Sequence, residues 1–188
     1  MGEAVLLLAG GAATRFPGKL EYCIEGKPMI ARLFERLSGR WAVHVAGKAG
    51  FTSPIDAALD APLLIDRWPS GGPLLALLSA APYIRAERIF AVAADQPLLE
   101  CSVLEQLAAA WRPGDEAVVP KHKGGIEPLA ALYDRFALLG EGVRLRRAGR
   151  TAMRDLIASL ATRFVAVEES YFHNVNEVSD LLAIPQTS

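Results

Sequence analysis

Val5-Leu6-Leu7-Leu8-Ala9-Gly10-Gly11-Ala12-Ala13-Thr14-Arg15-Phe16-Pro17-Gly18-Lys19 decides how this chain is read. The first four residues are apolar and suit a buried strand. The glycines then break that strand into a loop. Glycine lets the backbone turn sharply and lets N–H groups approach an anion with no Cβ in the way. Arg15 and Lys19 add two positive charges beside those amides. A strand running into paired glycines often serves structure alone. Two cations in the same loop point further, to a nucleoside triphosphate. The loop is not a Walker A motif, because no Gly-Lys-Ser/Thr follows, and the dinucleotide fingerprint G-x-G-x-x-G is absent.

Outward from this loop, strand and helix patterns alternate, which predicts a mostly parallel sheet with helices on both faces. Pro28 suits the first turn of a helix on which Ile30, Leu33, Phe34 and Leu37 recur at helical spacing. Ala42 to Ala46 reads as a strand, Ser53-Pro54 as the start of a short helix, and Leu63 to Ile65 as a strand ending at Asp66. Arg67 to Pro73 is a loop opening a very apolar helix, Leu74 to Ala81. Ile89 to Ala93 is a near-continuous apolar run of the kind buried on both faces. Ser102 and Glu105 form a capping-box pattern. Ala117 to Val119 is a strand, Lys121 to Gly125 a turn, and Leu129 to Tyr133 its return. Asp134 to Gly149 gives no clear period. Thr151 suits the cap of a helix through Leu160, Arg163 to Val167 a late strand, and Asn176 the cap of a last helix.

Composition bounds the rest. A chain of 188 residues fits a single domain, residues 1–188, and 52% hydrophobic residues suffice for a sizeable core. A net charge of -1 argues against nonspecific nucleic-acid binding. No apolar run approaches the roughly 18 residues of a membrane span. The start of the chain lacks the basic region and cleavage site of a signal peptide. Cys23 and Cys101 make neither a disulfide framework nor a zinc pattern, and read as buried thiols of a cytoplasmic protein.

Asp95 is the strongest single candidate for chemistry. It stands where a buried strand ends, and open α/β sheets bind ligands beyond the carboxyl ends of their strands. A carboxylate there holds Mg²⁺ against phosphate oxygens, or else serves the turn before Pro97. Asp66 repeats the pattern of strand, Asp and loop. Asn174 and Asn176 flank Val175, so an extended backbone points both amides to one side. Arg144, Arg146, Arg147 and Arg150 are either a solvated helix face or an anion site for a phosphorylated acceptor. His122 and His173 lack metal-site spacing and read as ordinary turn or surface histidines.

The ordered set Leu8-Ala9-Gly10-Gly11, Thr14-Arg15, Gly18-Lys19, Gly26-Lys27-Pro28, Asp66, Gly72-Pro73-Leu74, Asp95-Gln96-Pro97 and Asn174-Val175-Asn176 resembles the molybdenum cofactor guanylyltransferases. The resemblance runs from the first strand to the last helix. It implies a Rossmann-like domain of the nucleotide-diphospho-sugar transferase type. It also implies transfer of GMP from GTP to the phosphate of molybdopterin, with Mg²⁺ and release of pyrophosphate. By the same resemblance Leu8, Ala9, Gly10, Gly11, Lys19 and Asp66 hold the nucleotide and Asp95 binds the metal. By the same resemblance Asn174 and Asn176 line the site close to the metal and the acceptor. From the residues themselves, Arg15, Lys19 and Asp95 are the catalytic set that neutralises charge, and Arg150 meets the acceptor if the arginine cluster is an anion site. A molybdoenzyme or its chaperone is the protein partner this reading expects. Three places depart from the family's habit. Phe16-Pro17-Gly18 leads into Lys19 where an Asp directly before the lysine is frequent. The second strand ends at Ala46-Gly47 instead of an asparagine, and Glu127-Pro128 stands where a His-Pro is frequent. A transferase using CTP, one with a sugar or polyol phosphate acceptor, and a non-catalytic cofactor-binding protein are the alternatives.

Overall fold

The structure is a computed structural model and describes residues 2–9, 19–47, 63–68 and 71–184. Gly10, Gly11, Arg15 and the predicted Ser53-Pro54 helix lie outside the described residues. Lys19 opens a short 3-10 turn, Lys19–Glu21, and its side chain also lies outside them.

The strands are β1 (Glu3–Leu8), β2 (Cys23–Ile24), β3 (Lys27–Pro28), β4 (Ala42–Gly47), β5 (Leu63–Ile65), β6 (Arg88–Ala93), β7 (Ala117–His122), β8 (Gly125–Ile126), β9 (Ala130–Asp134) and β10 (Thr162–Ala166). The helices are α1 (Met29–Ser38), α2 (Gly72–Ala80), α3 (Cys101–Ala110), α4 (Arg135–Arg147) and α5 (Met153–Ser159). The main sheet runs β10-β7-β9-β6-β1-β4-β5, with β8 hydrogen-bonded to β7. The pairs β1–β4, β1–β6, β4–β5 and β7–β10 are parallel. Strand β9, against β6 and β7, and strand β8 run the other way.

The two inner strands explain why their sequences do not alternate. Val5, Leu6, Leu7, Ile89, Phe90 and Val92 are all fully buried, because both faces of the sheet are covered. Leu6 and Ile89 pack with Leu74, Leu138 and Leu156 of α2, α4 and α5. Val5, Leu7 and Phe90 pack with Leu33 and Leu104 of α1 and α3.

Several local expectations move. Pro28 immediately precedes α1 and does not enter its first turn. Helix α3 starts at Cys101 with Glu100 at its cap and no side-chain cap bond, so Ser102 lies inside the helix and the capping box does not form. The cause is tertiary. Arg36 Nη1 donates to the carbonyls of Pro97 and Leu99 at 2.9 and 2.8 Å and fixes where the chain enters. Helix α5 is preceded by Ala152 instead of Thr151. The final helix is 3-10, Val178–Ala183, with Glu177 rather than Asn176 as its cap and Asp180 completing the capping box. The segment with no clear period is α4, whose N-cap Asp134 accepts from the N–H groups of Phe136 and Ala137. Neither thiol is buried as expected. Cys23 is exposed on the small β2–β3 hairpin, outside the main sheet, and Cys101 is half-buried at the start of α3.

Candidate functional site

Register places the candidate residues. Leu8 stands opposite both Ala46 and Ala93, so β1, β4 and β6 end level with one another. Beyond that line the Ala9 N–H donates to Ala46 O at 2.8 Å, Ala94 N–H to Leu8 O at 3.2 Å, and Asp66 N–H to Gly47 O at 2.7 Å. Leu8, Ala9, Asp66 and Asp95 therefore lie along the carboxyl edge of the parallel strands. Strand β7 runs parallel to β6, since both are antiparallel to the β9 between them, and it brings His122 to the same edge.

The C-terminal segment crosses back to this edge. Val175 N–H donates to the Asp95 carbonyl at 2.9 Å. The Val175 side chain is fully buried against Ile24, Met29 and Ile184. That anchor sets Asn174 and Asn176 on either side of a residue bonded to Asp95. The Asn176 N–H itself donates to Asp180 Oδ2 at 2.6 Å. The structure thus joins Asp95 to the Asn-Val-Asn segment, although the two lie far apart in the sequence.

Asp66 is buried, and two bonds fall on its Oδ1: the Trp68 N–H donates at 2.8 Å and the Ser79 hydroxyl at 3.1 Å. Ser79 Oγ in turn accepts from the Arg67 N–H at 3.1 Å. Ser79, the buried partner of the candidate Asp66, is a residue that sequence reasoning misses. Its one signal is a lone hydroxyl in the apolar helix Leu74 to Ala81. The entry to α2 needs both of its glycines. A Cβ on Gly71 would sit 2.2 Å from Leu75 Cδ1, and Gly72 has φ 74°, in the left-handed region. Trp68, ahead of the same helix, lies under the Arg146 guanidinium at 4.2 Å.

The arginine cluster divides. Arg144 pairs with Glu141 at 2.7 Å, Arg146 covers Trp68, and Arg150 Nη2 donates to Asp155 Oδ1 at 2.8 Å. The Arg150 guanidinium holds the Asp155 carboxyl below the usual carboxylate range, and Asp155 pushes Arg150 up. The Arg150 N–H donates to Leu145 O at 2.9 Å. These bonds tie Arg150 to α5 and the end of α4, and none of them joins it to Asp95 or to the Asn-Val-Asn segment.

His122 is not an ordinary surface histidine. Its side chain is buried, stacks on Phe172 with ring centroids 5.5 Å apart, and meets Glu127 Oε1 at 3.0 Å. Glu127 Oε2 accepts from Gln96 Nε2 at 3.5 Å, and Gln96 is the residue after Asp95. Gln96 is buried, and no donor among the described residues reaches its Oε1.

The chain is similar to known proteins in sequence and in fold. A protein of Opitutus terrae named probable molybdenum cofactor guanylyltransferase is 38% identical over 167 residues, covering 86% of this chain and 81% of its own. A molybdenum cofactor guanylyltransferase of Burkholderia orbicola is 28% identical, covering 96% of this chain and 94% of its own. The fold matches molybdopterin-guanine dinucleotide biosynthesis protein A of Archaeoglobus fulgidus with a TM-score of 0.81 at 23% identity, over 97% of this chain and 96% of that one. It also matches 2-C-methyl-D-erythritol 4-phosphate cytidylyltransferase of Thermus thermophilus, with a TM-score of 0.74 at 15% identity, over 95% of each chain. The model of the MobA-like NTP transferase domain matches residues 5–164, and the chain belongs to that family.

Proposed function

We propose that this protein is a molybdenum cofactor guanylyltransferase, which transfers GMP from GTP to the terminal phosphate of molybdopterin. The observation that carries the reading is the Val175 N–H to Asp95 carbonyl bond, which brings Asn174 and Asn176 to the strand edge where Leu8, Ala9 and Asp66 also end.

In this reading an oxygen of the acceptor phosphate attacks the α-phosphorus of GTP. The bond to the β-phosphate breaks, and pyrophosphate leaves. The acceptor is already an anion, so no general base is needed. The work left to the protein is alignment and neutralisation of charge. Leu8 and Ala9 lead into the glycine loop that cradles the phosphates, with Arg15 and Lys19 as its cations. Asp66 is held for the nucleotide by Ser79 and the Trp68 N–H. Asn174 and Asn176 face the acceptor, whereas Arg150 is engaged by Asp155 and is not assigned to it.

Among the described residues no three His, Cys, Asp or Glu side chains cluster as a metal cage. A single carboxylate at a phosphate site fits Mg²⁺, which is bound through one or two carboxylates plus substrate phosphates. Asp95 with the neighbouring Asn amides supplies such oxygen donors. Mg²⁺, when bound, neutralises charge on the reacting phosphates. No helix among the described residues is long and apolar enough to cross a membrane. We place the reaction in the cytoplasm, with a molybdoenzyme or its chaperone receiving the product.

The test is pyrophosphate release with Mg²⁺ and each of GTP, CTP, ATP and UTP, with and without molybdopterin, for wild type and Asp95→Ala. The expected result is release with GTP alone, dependent on molybdopterin and reduced at least about 100-fold in the variant. Release with CTP alone would move the protein to the cytidylyltransferases. An Asp95→Ala enzyme as active as wild type would remove Asp95 from the metal site.

A further inference from the structure

His122 touches three parts of the candidate site at once. Its Nδ1 accepts from the Gly124 N–H at 3.1 Å, which ties it to the β7–β8 turn. With Nδ1 accepting, Nε2 carries the proton and donates to Glu127 Oε1 at 3.0 Å. Its ring stacks on Phe172, two residues before Asn174. Glu169 Oε2 is a second carboxylate, 3.6 Å from Nδ1.

Glu127 passes this anchor to the turn at Asp95. Its backbone N–H donates to Pro120 O at 3.0 Å, so it is fixed at the hairpin. Its Oε2 accepts from Gln96 Nε2. Because no donor among the described residues reaches Gln96 Oε1, the bond to Glu127 sets which way that amide faces. Asp95 is the adjacent residue, and its carbonyl is bonded to Val175.

We propose that His122, acting through Glu127 and Gln96, is a positioning residue that aligns the Asp95 turn with the Asn174–Asn176 segment. The inference rests on the transferase reading above, in which Asp95 holds the metal and the two amides meet the acceptor. Misplacement of reacting groups by about 1 Å costs about 100-fold in rate. Loosening this chain is therefore expected to act on turnover and metal use more than on nucleotide binding, which belongs to the β1, β4 and β5 side of the edge.

The test compares His122→Phe, which keeps the stacked ring but loses the Nε2 donor, with His122→Gln, which keeps a donor amide but loses the ring. Glu127→Gln is the third variant. For each, kcat, KM for GTP and for molybdopterin, the Mg²⁺ concentration giving half-maximal rate, and the melting temperature are measured. Calorimetric titration of Mn²⁺ in the presence of GTP supplies a binding readout that needs no turnover. The expected result is a fall in kcat of about 10- to 100-fold for His122→Phe, with weaker Mn²⁺ binding and a GTP KM within about threefold of wild type. His122→Gln is expected to recover part of the loss. Variants that melt lower yet keep kcat, both KM values and Mn²⁺ binding within about twofold of wild type would overturn the proposal. Failure of the transferase reading is seen separately, as a wild-type enzyme with no pyrophosphate release or an Asp95→Ala variant with undiminished release.

Discussion

Replacing Ser79 by alanine isolates the support under Asp66. The substitution removes the hydroxyl that donates to Asp66 Oδ1 and accepts from the Arg67 N–H. A hydrogen bond to a carboxylate contributes about 1.5–3 kcal/mol, and an N–H left without its partner costs about 1 kcal/mol. Alanine returns about 0.5 kcal/mol through its better helix propensity in α2. The net loss is about 2–3.5 kcal/mol, read by equilibrium urea denaturation. It corresponds to a melting temperature about 5–10 °C lower for a domain of this size. A double-mutant cycle with Asp66→Asn should show a coupling of about 1 kcal/mol, since the two side chains touch. If Asp66 lines the nucleotide site, a comparable loss of binding raises KM for GTP about fivefold as well. A loss of stability below about 0.5 kcal/mol, with no coupling, would refute the claim that Ser79 holds Asp66 in place.

Two glycines of α4 should respond in opposite directions. Gly140→Ala meets nothing within 4 Å and should stabilise by about 0.5–1 kcal/mol, whereas Gly142→Ala puts a Cβ 2.7 Å from Leu78 Cδ2 and should destabilise by about 1 kcal/mol, both by urea denaturation. Arg163 grips Asp115 with two bonds of 2.7 and 3.0 Å and holds its carboxyl below the usual range. The stability this lends is complete above the ordinary aspartate pKa of about 4 and is lost as pH falls through the lowered folded value, so wild type and Asp115→Asn should differ in melting temperature at about pH 7 and converge in acid. Cys23 is exposed, whereas burial pushes the half-buried Cys101 thiol up, so an alkylating reagent should label Cys23 first and Cys101 slowly, as peptide mapping would read.

Residue pattern was enough for the seven strands in line across the main sheet, most helices and the line of residues at the carboxyl edge, but not for the short strands β2, β3 and β8. Apolar runs such as Ile89 to Ala93 are strands because both faces are covered, and a strand that stops at an Asp leaves that Asp at the sheet edge. Local pattern sufficed there because the cause was local. It failed in α4, where Gly140 and Gly142 mimic a loop. Gly142 sits in a helix with Leu78 and Leu74 pressed against it, a fact of packing that no window of sequence contains. It failed at Ser102 for a similar reason, since Arg36 of α1 fixes the entry to α3. Folding in three dimensions made the partnerships of Asp95 with Val175, Asp66 with Ser79, and His122 with Glu127 and Phe172. A hydrogen bond needs two groups within about 3 Å in the right orientation. For residues on different elements, that is set by sheet register and helix packing and not by the order of the chain.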